Sequence, residues 1–233
     1  MGPLPNLVVI GAMKCATTMM YEILRSHPDI FIPEIKEPNY FSKIQNKFGG
    51  KINGHEEHWL EYRNLFLGAD PGVKYVGEAS TDYTKYPHCA GVPSLIKQHL
   101  GQPKLIYMIR DPVERTISHY KHSRIKFGKD YHRSIVTAAV QDPIIIDTSK
   151  YLMQLEQYWP VFGRENIYII QFEKLINDFH DQIAQLAIFL DLSITNWEPK
   201  LVTSNSSSQL ASARMYNGYL GSTFEMLSFM PKS

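Results

Sequence analysis

Leu7-Val8-Val9-Ile10-Gly11-Ala12-Met13-Lys14-Cys15-Ala16-Thr17-Thr18 decides the reading of the chain, because its character changes twice along its length. Leu7 to Ile10 are consecutive apolar residues, mostly β-branched, the composition of a strand buried on both faces of a parallel sheet. Small residues follow, with one lysine among them. Beyond Thr17 and Thr18, the apolar residues Met19, Met20, Ile23 and Leu24 repeat at helical spacing. The order is strand, tight turn, helix.

Such a turn presents backbone N–H groups at the positive end of a helix, where a bound anion is stabilised. Lys14 adds a point charge, and Thr17 and Thr18 can donate hydroxyl hydrogen bonds. The plainer alternative is a lysine beside an ordinary strand-to-helix turn. The triphosphate-binding pattern is not met. It requires glycine directly before the lysine and Ser or Thr directly after it, whereas Met13 and Cys15 flank Lys14.

The rest of the chain bounds the problem. Its 233 residues, 44% of them hydrophobic, suffice for one well-buried domain. Lys+Arg 24 against Asp+Glu 23 leaves a formal charge of +1, so no global field attracts nucleic acid or an anionic membrane. Any anion must be held by local groups. Cys15 and Cys89 form neither a disulfide framework nor a C-x-x-C pair, which fits a reducing compartment. No apolar run reaches the roughly 20 residues that span a bilayer, and Met1 to Asn6 lack the features of a secretion signal. The expectation is a soluble cytoplasmic protein.

A second strand-to-helix junction stands at Lys104-Leu105-Ile106-Tyr107-Met108-Ile109, a buried strand that delivers Arg110. Asp111 as N-cap, Pro112 at the first helical position and Glu114 at the third make a capping-box start for a helix through Ser118 and Tyr120. Arg110 offers a planar fork of donors suited to a phosphate; an exposed ion pair with Asp111 or Glu114 is the alternative. A third buried strand is expected at Ile167 to Phe172, followed by Glu173 to Asp178. Helices are expected at His55–Leu67, Pro93–Leu100, Ser149–Phe162 and His180–Leu190, and short strands at Ile30–Ile32 and Val73–Gly77. Lys43 to Gly54 reads as a loop. His55 with His58, and His119 with His122, lack a nearby third ligand and read as surface or pocket-lining groups. Lys121 to Arg133 reads as a basic, solvated helix end and loop; a rim that attracts an anionic acceptor is the alternative.

Gly11 to Thr18, followed by Leu24-Arg25-Ser26-His27-Pro28-Asp29, resembles the 5′-phosphosulfate loop of sulfotransferases that use 3′-phosphoadenosine 5′-phosphosulfate (PAPS). The likeness is to the branch of heparan sulfate sulfotransferases and their bacterial relatives. Arg110-Asp111-Pro112-Val113-Glu114-Arg115-Thr116-Ile117-Ser118 is similar to that family's 3′-phosphate motif, and Glu173 to Asp178 resembles its Glu-x-Leu-x-x-Asp turn. The resemblance covers roughly Leu7 to Leu192 and thins in 193–233, where Asn205-Ser206-Ser207-Ser208 is similar to a polar C-terminal segment of the family.

The resemblance implies a single domain over 1–233 with a P-loop-NTPase-like three-layer α/β fold, a central parallel sheet flanked by helices. It implies PAPS as donor and 3′-phosphoadenosine 5′-phosphate (PAP) as product. Lys14, Cys15, Ala16, Thr17 and Thr18 would hold the 5′-phosphate, with Lys14 also neutralising charge on the leaving group, and Arg110 and Ser118 would hold the 3′-phosphate. No metal is then needed. Lys36-Glu37-Pro38-Asn39-Tyr40-Phe41 matches the family's Lys-Glu-x-x-x-Phe, which makes Glu37 the general base toward a hydroxyl or amine of a small-molecule or glycan acceptor; a solvated loop glutamate is the alternative. Gly77-Glu78-Ala79-Ser80-Thr81-Asp82-Tyr83 is similar to Gly-Glu-x-Ser-Pro-x-Tyr, with Glu78 at a strand end facing the site. Glu37, Glu78 and a histidine all stand as candidates for the base. The chain departs from the pattern at Cys15-Ala16, where the family usually has two glycines, and at Ala79, where the heparan sulfate enzymes have lysine. A nucleotide-dependent kinase or NTPase on the same fold, and a non-catalytic PAP-binding member, are the rival readings.

Overall fold

The computed structural model describes residues 2–48, 56–128, 131–132, 134–195 and 197–199. Five parallel strands form its sheet: β1 (Leu7–Gly11), β2 (Ile30–Phe31), β3 (Tyr75–Ala79), β4 (Lys104–Ile109) and β5 (Ile167–Gln171), in the order β2-β3-β1-β4-β5. β1 lies at the centre and is buried along its whole length, as its unbroken apolar run requires. From β1 the chain goes to the edge of the sheet at β2, returns to β3 beside β1, then crosses to β4 and β5 on the other side. The order therefore reverses beside β1, and a crevice outside the carboxyl ends of β1 and β4 is where such sheets bind ligands.

Ten α-helices accompany the strands among the described residues: α1 (Thr17–Arg25), α2 (Tyr40–Phe48), α3 (Glu56–Asn64), α4 (Val92–Leu100), α5 (Pro112–Phe127), α6 (Ile135–Gln141), α7 (Ile144–Asp147), α8 (Tyr151–Phe162), α9 (Phe172–Asn177) and α10 (Phe179–Leu190). A 3₁₀ turn, Thr81–Thr84, follows β3. The core is continuous from Leu7, Val8, Val9 and Ile10 through Met20, Ile23 and Leu24 of α1 to Leu105, Ile106 and Met108 of β4.

Several expectations shift. Residues 43–48 are helical, because Tyr40, Phe41 and Ile44 recur at helical spacing and are all buried; a loop read from the polar residues around them missed that stripe. β3 begins at Tyr75 and carries Glu78 inside the strand. β5 is an edge strand, so Ile169 is exposed and the strand is not buried throughout. Phe172 to Asn177 is a short helix, not a turn, and α6 and α7 had no periodic signal long enough to announce them. On α8 the core face carries Gln154, Leu155, Tyr158 and Phe162, while Leu152 faces solvent. The expectations at 49–54, His55, Lys129, Arg133 and Asn205 to Ser208 lie outside the described residues.

Candidate active site

The turn after β1 is shaped by its backbone. Gly11 has φ +142°, and a Cβ there would sit 2.0 Å from Thr84 Oγ1, which itself donates to Ile10 O at 3.0 Å. Lys14 (φ +71°) and Ala16 (φ +64°) both adopt the left-handed conformation, which gives the turn its concave form. Ala16 is the N-cap of α1; no side chain caps that end and no acidic residue lies in the first turn. The positive end of α1 is thus neither capped by a side chain nor matched by an acidic residue of its own first turn, the situation that favours a bound oxyanion. Thr17 is buried at that end and Thr18 half-buried beside it.

Arg110 stands at the end of the adjacent strand. β1 and β4 remain joined as far as Ala12, whose N–H donates to Met108 O at 2.9 Å. Tyr151 bridges the two ends: its Oη donates to Arg110 O (2.8 Å), accepts from Arg110 N (3.3 Å) and lies 3.6 Å from Cys15 Sγ. Its proton being given to Arg110 O, the thiol is the donor in that last contact. Burial pushes the Cys15 thiol up to about 11, so it serves as packing and not as a nucleophile. The Arg110 guanidinium lies over the Phe172 ring at 5.0 Å and reaches Glu114 Oε2 at 3.7 Å, while its Nε is buried without a hydrogen-bond partner.

Half of the expected capping box forms. Asp111 Oδ1 accepts from Val113 N (3.0 Å) and Glu114 N (2.8 Å), but the reciprocal arm comes from Glu173 Oε1, which takes Asp111 N at 2.9 Å. Glu114 is thereby left to Arg110.

Beneath the turn lies a residue that sequence reasoning missed. Arg115 is fully buried, and its guanidinium donates to Met13 O (3.3 Å), Ser149 Oγ (2.5 Å), His119 Nδ1 (3.1 Å) and Ile145 O. A buried cation so completely hydrogen-bonded fixes the floor of the turn and adds positive charge below it. His119, read as surface or pocket-lining, is buried against that guanidinium and held neutral; burial and the neighbouring cations push it down to about 3.

The electrostatics gather these groups. Burial lowers the Lys14 ammonium below the usual lysine range, the nearby Arg110 lowers it further, and Glu37 partly opposes them. His122 on α5 is also lowered, first by burial, then by Lys14 and Lys126, with Glu37 again acting the other way. Lys14, Arg110, Glu37 and His122 therefore share one charged neighbourhood. Ser118 lies half-buried on α5, one turn from Glu114 and one turn from His122, on the face that those two residues define.

The two candidate carboxylates part company. Glu37 is half-buried, with Oε1 on Lys36 Nζ (2.9 Å) and Oε2 accepting from Thr81 Oγ1 (3.2 Å). Glu78 is wholly buried within β3 and accepts from Tyr62 Oη (2.8 Å), Tyr83 Oη (2.9 Å) and Ser80 Oγ (2.7 Å). The structure brings Glu37 to the Lys14 neighbourhood and encloses Glu78 in hydroxyls.

Comparison with known proteins bears on this geometry. The profile of the sulfotransferase domain matches residues 4–232. The membrane-associated sulfotransferase kil1 of Dictyostelium discoideum is 37% identical over 120 residues, covering 52% of this chain and 23% of the relative. Carbohydrate sulfotransferase 15 of Mus musculus is 26% identical over 265 residues, covering 88% of this chain and 47% of the relative. The chain thus spans less than half the length of either. The crystal structure of a sulfotransferase from Alicyclobacillus acidocaldarius superposes with a TM-score of 0.69 and 27% identity, covering 93% of this chain and 92% of that one.

Proposed function

This chain belongs to the sulfotransferase family, and on that premise we propose that it moves a sulfuryl group from PAPS to a hydroxyl or amine of its acceptor and releases PAP. One observation carries the reading: Lys14 and Arg110 follow the ends of two hydrogen-bonded parallel strands, which stay joined as far as Ala12 N to Met108 O and are tied together by Tyr151. Two cations at the ends of neighbouring strands, with a helix terminus that no side chain caps following one of them and an arginine Nε lacking a partner on the other, form a site complementary to a molecule with a phosphate at each end.

The donor supplies the sulfuryl group; the chain supplies position and charge. Backbone N–H groups of the turn with Thr17 and Thr18 hold the 5′-phosphate, and Arg110 with Ser118 holds the 3′-phosphate. Lys14 faces the phosphate that departs and neutralises the charge it gains. Glu37 takes the acceptor's proton as the acceptor attacks, and Thr81 and Lys36 orient its carboxylate. His122, neutral in the same neighbourhood, lines the acceptor side.

The acceptor class we propose is a small molecule or a glycan; the name of the carbohydrate sulfotransferase relative supports the latter. Two isolated free cysteines support a cytoplasmic setting. Among the described residues no helix is long and apolar enough to cross a membrane, but the name of the Dictyostelium relative makes cell fractionation the needed check.

The test is transfer of label from [³⁵S]PAPS to a panel of phenols, aliphatic alcohols and desulfated glycans. Labelled product that disappears in Lys14→Ala, with the circular dichroism spectrum unchanged, is the expected result. PAP binding with no labelled product would favour a non-catalytic member, and ATP turnover would favour the kinase reading.

A further inference from the structure

Glu37 occupies a backbone conformation that its residue type disfavours. Its φ is +59°, and Asn39, two residues on, has φ +53°; neither is glycine. Left-handed backbone at a non-glycine residue costs on the order of 1 kcal/mol and persists only where the surroundings over-determine it.

What over-determines it is a run of contacts from the residues around the end of β3. Glu37 N donates to Ala79 O at 3.0 Å, Asn39 N to Ser80 Oγ at 3.0 Å, and Phe41 N to Tyr83 Oη at 3.4 Å. Two of those three acceptors are hydroxyls, and a hydroxyl rotates unless its own proton is committed. Both protons are committed to one group, since Ser80 Oγ donates to Glu78 Oε2 and Tyr83 Oη to Glu78 Oε1. Tyr62 Oη supplies a third donor to the same carboxylate. Ser80 N in turn donates to Val9 O at 3.0 Å, on the strand that feeds the Lys14 turn.

We propose that Glu78 is a positioning residue: by orienting the Ser80 and Tyr83 hydroxyls it holds residues 37–41 in their strained path and keeps the Glu37 carboxylate in register with Lys14. This rests on the reading of Glu37 as the base. It gives the buried carboxylate a function that requires no contact with substrate. It also explains why Ser80 and Tyr83 face a carboxylate, since an acceptor-only partner takes their protons and leaves their lone pairs for the backbone N–H groups of Asn39 and Phe41. Burial raises the Glu78 carboxyl while its three hydroxyl partners pull it back down, and burial with the adjacent carboxylate holds Tyr62 and Tyr83 protonated as donors.

Ser80→Ala removes the hydroxyl that joins the carboxylate to Asn39 and deletes only one atom. On an acceptor that the unaltered chain sulfates from [³⁵S]PAPS, kcat should fall by about 10- to 100-fold, as misplaced catalytic groups do. The PAP dissociation constant should move by less than about twofold, since sites without shared partners behave independently. In a Glu37→Gln background the same substitution should change the residual rate by less than about twofold, because the group being positioned is already gone. Equal fold-losses in both backgrounds would show general loosening and overturn the proposal. If the unaltered chain sulfates nothing, it is the sulfotransferase activity that fails, and a crystal structure of Ser80→Ala decides the positioning claim separately. Glu37 and Asn39 relaxing to negative φ supports it, and an unmoved Glu37 carboxylate overturns it.

Discussion

Glu37 and Glu78 are the same residue type on neighbouring segments, yet their surroundings assign them different work. Glu37 is about one-third exposed, sits on a strained loop and shares its charge with Lys36, Thr81 and the Lys14 neighbourhood. Glu78 meets no solvent and spends both oxygens on three hydroxyl protons. A carboxylate that is wholly buried and already accepts three hydroxyl protons is not placed to take one from an acceptor; a partly exposed one is. Environment, not identity or motif position, divides the roles.

The sharpest way to break this contrast is to neutralise each group in turn. Glu37→Gln should lower kcat by about 10²- to 10⁴-fold, the usual worth of a general base, with PAP affinity retained in a calorimetric titration. A variant that sulfates at the parent rate would remove Glu37 from the mechanism. Glu78→Ala should act first on the fold. It leaves three buried hydroxyls without their acceptor, at about 1 kcal/mol or more each, so urea unfolding should show a loss of about 3 kcal/mol. Unchanged stability would contradict the buried network.

A smaller effect extends the comparison to a buried base. His119 lies among Arg115, Lys85, His122 and Lys14, and burial with these cations pushes it from 6.5 down to about 3. Between those values the unfolded chain binds a proton that the fold refuses, so stability falls as pH drops from about 6.5 toward about 3. The urea midpoint should therefore decrease across that window, and His119→Asn, whose amide oxygen can still accept from Arg115, should flatten the slope. A slope unaffected by the substitution would show that other groups titrate there.

The two strand-to-helix junctions were legible in the sequence because each is a local pattern. Four apolar residues, a small-residue turn and a helical repeat suffice for the Lys14 turn, and the strand ending at Arg110 with Asp111 as cap suffices for the other. The parallel sheet follows from such junctions, and the five strands lie close to where the apolar runs put them. What escaped reading depends on tertiary contacts. Arg115 is one residue in a helix until Met13 arrives from the turn after β1 and Ile145 and Ser149 from the stretch at and after α7. Tyr151 becomes the tie between Cys15 and Arg110 only once α8 has packed. Glu78 could be placed at a strand end from its motif, but a shift of two residues in the start of β3 enclosed it, and no sequence pattern states which hydroxyls will surround a carboxylate.

The proposed function requires one nucleotide to span the ends of β1 and β4. Isothermal titration with PAP and with adenosine 5′-monophosphate, on the unaltered chain and on Arg110→Ala, tests that span directly. Loss of the arginine should weaken PAP by about 10-fold or more, the scale of a charge-assisted hydrogen bond, and leave the monophosphate within about twofold. Equal weakening of both ligands, or of neither, would contradict a grip on the 3′-phosphate and with it the placement of the donor.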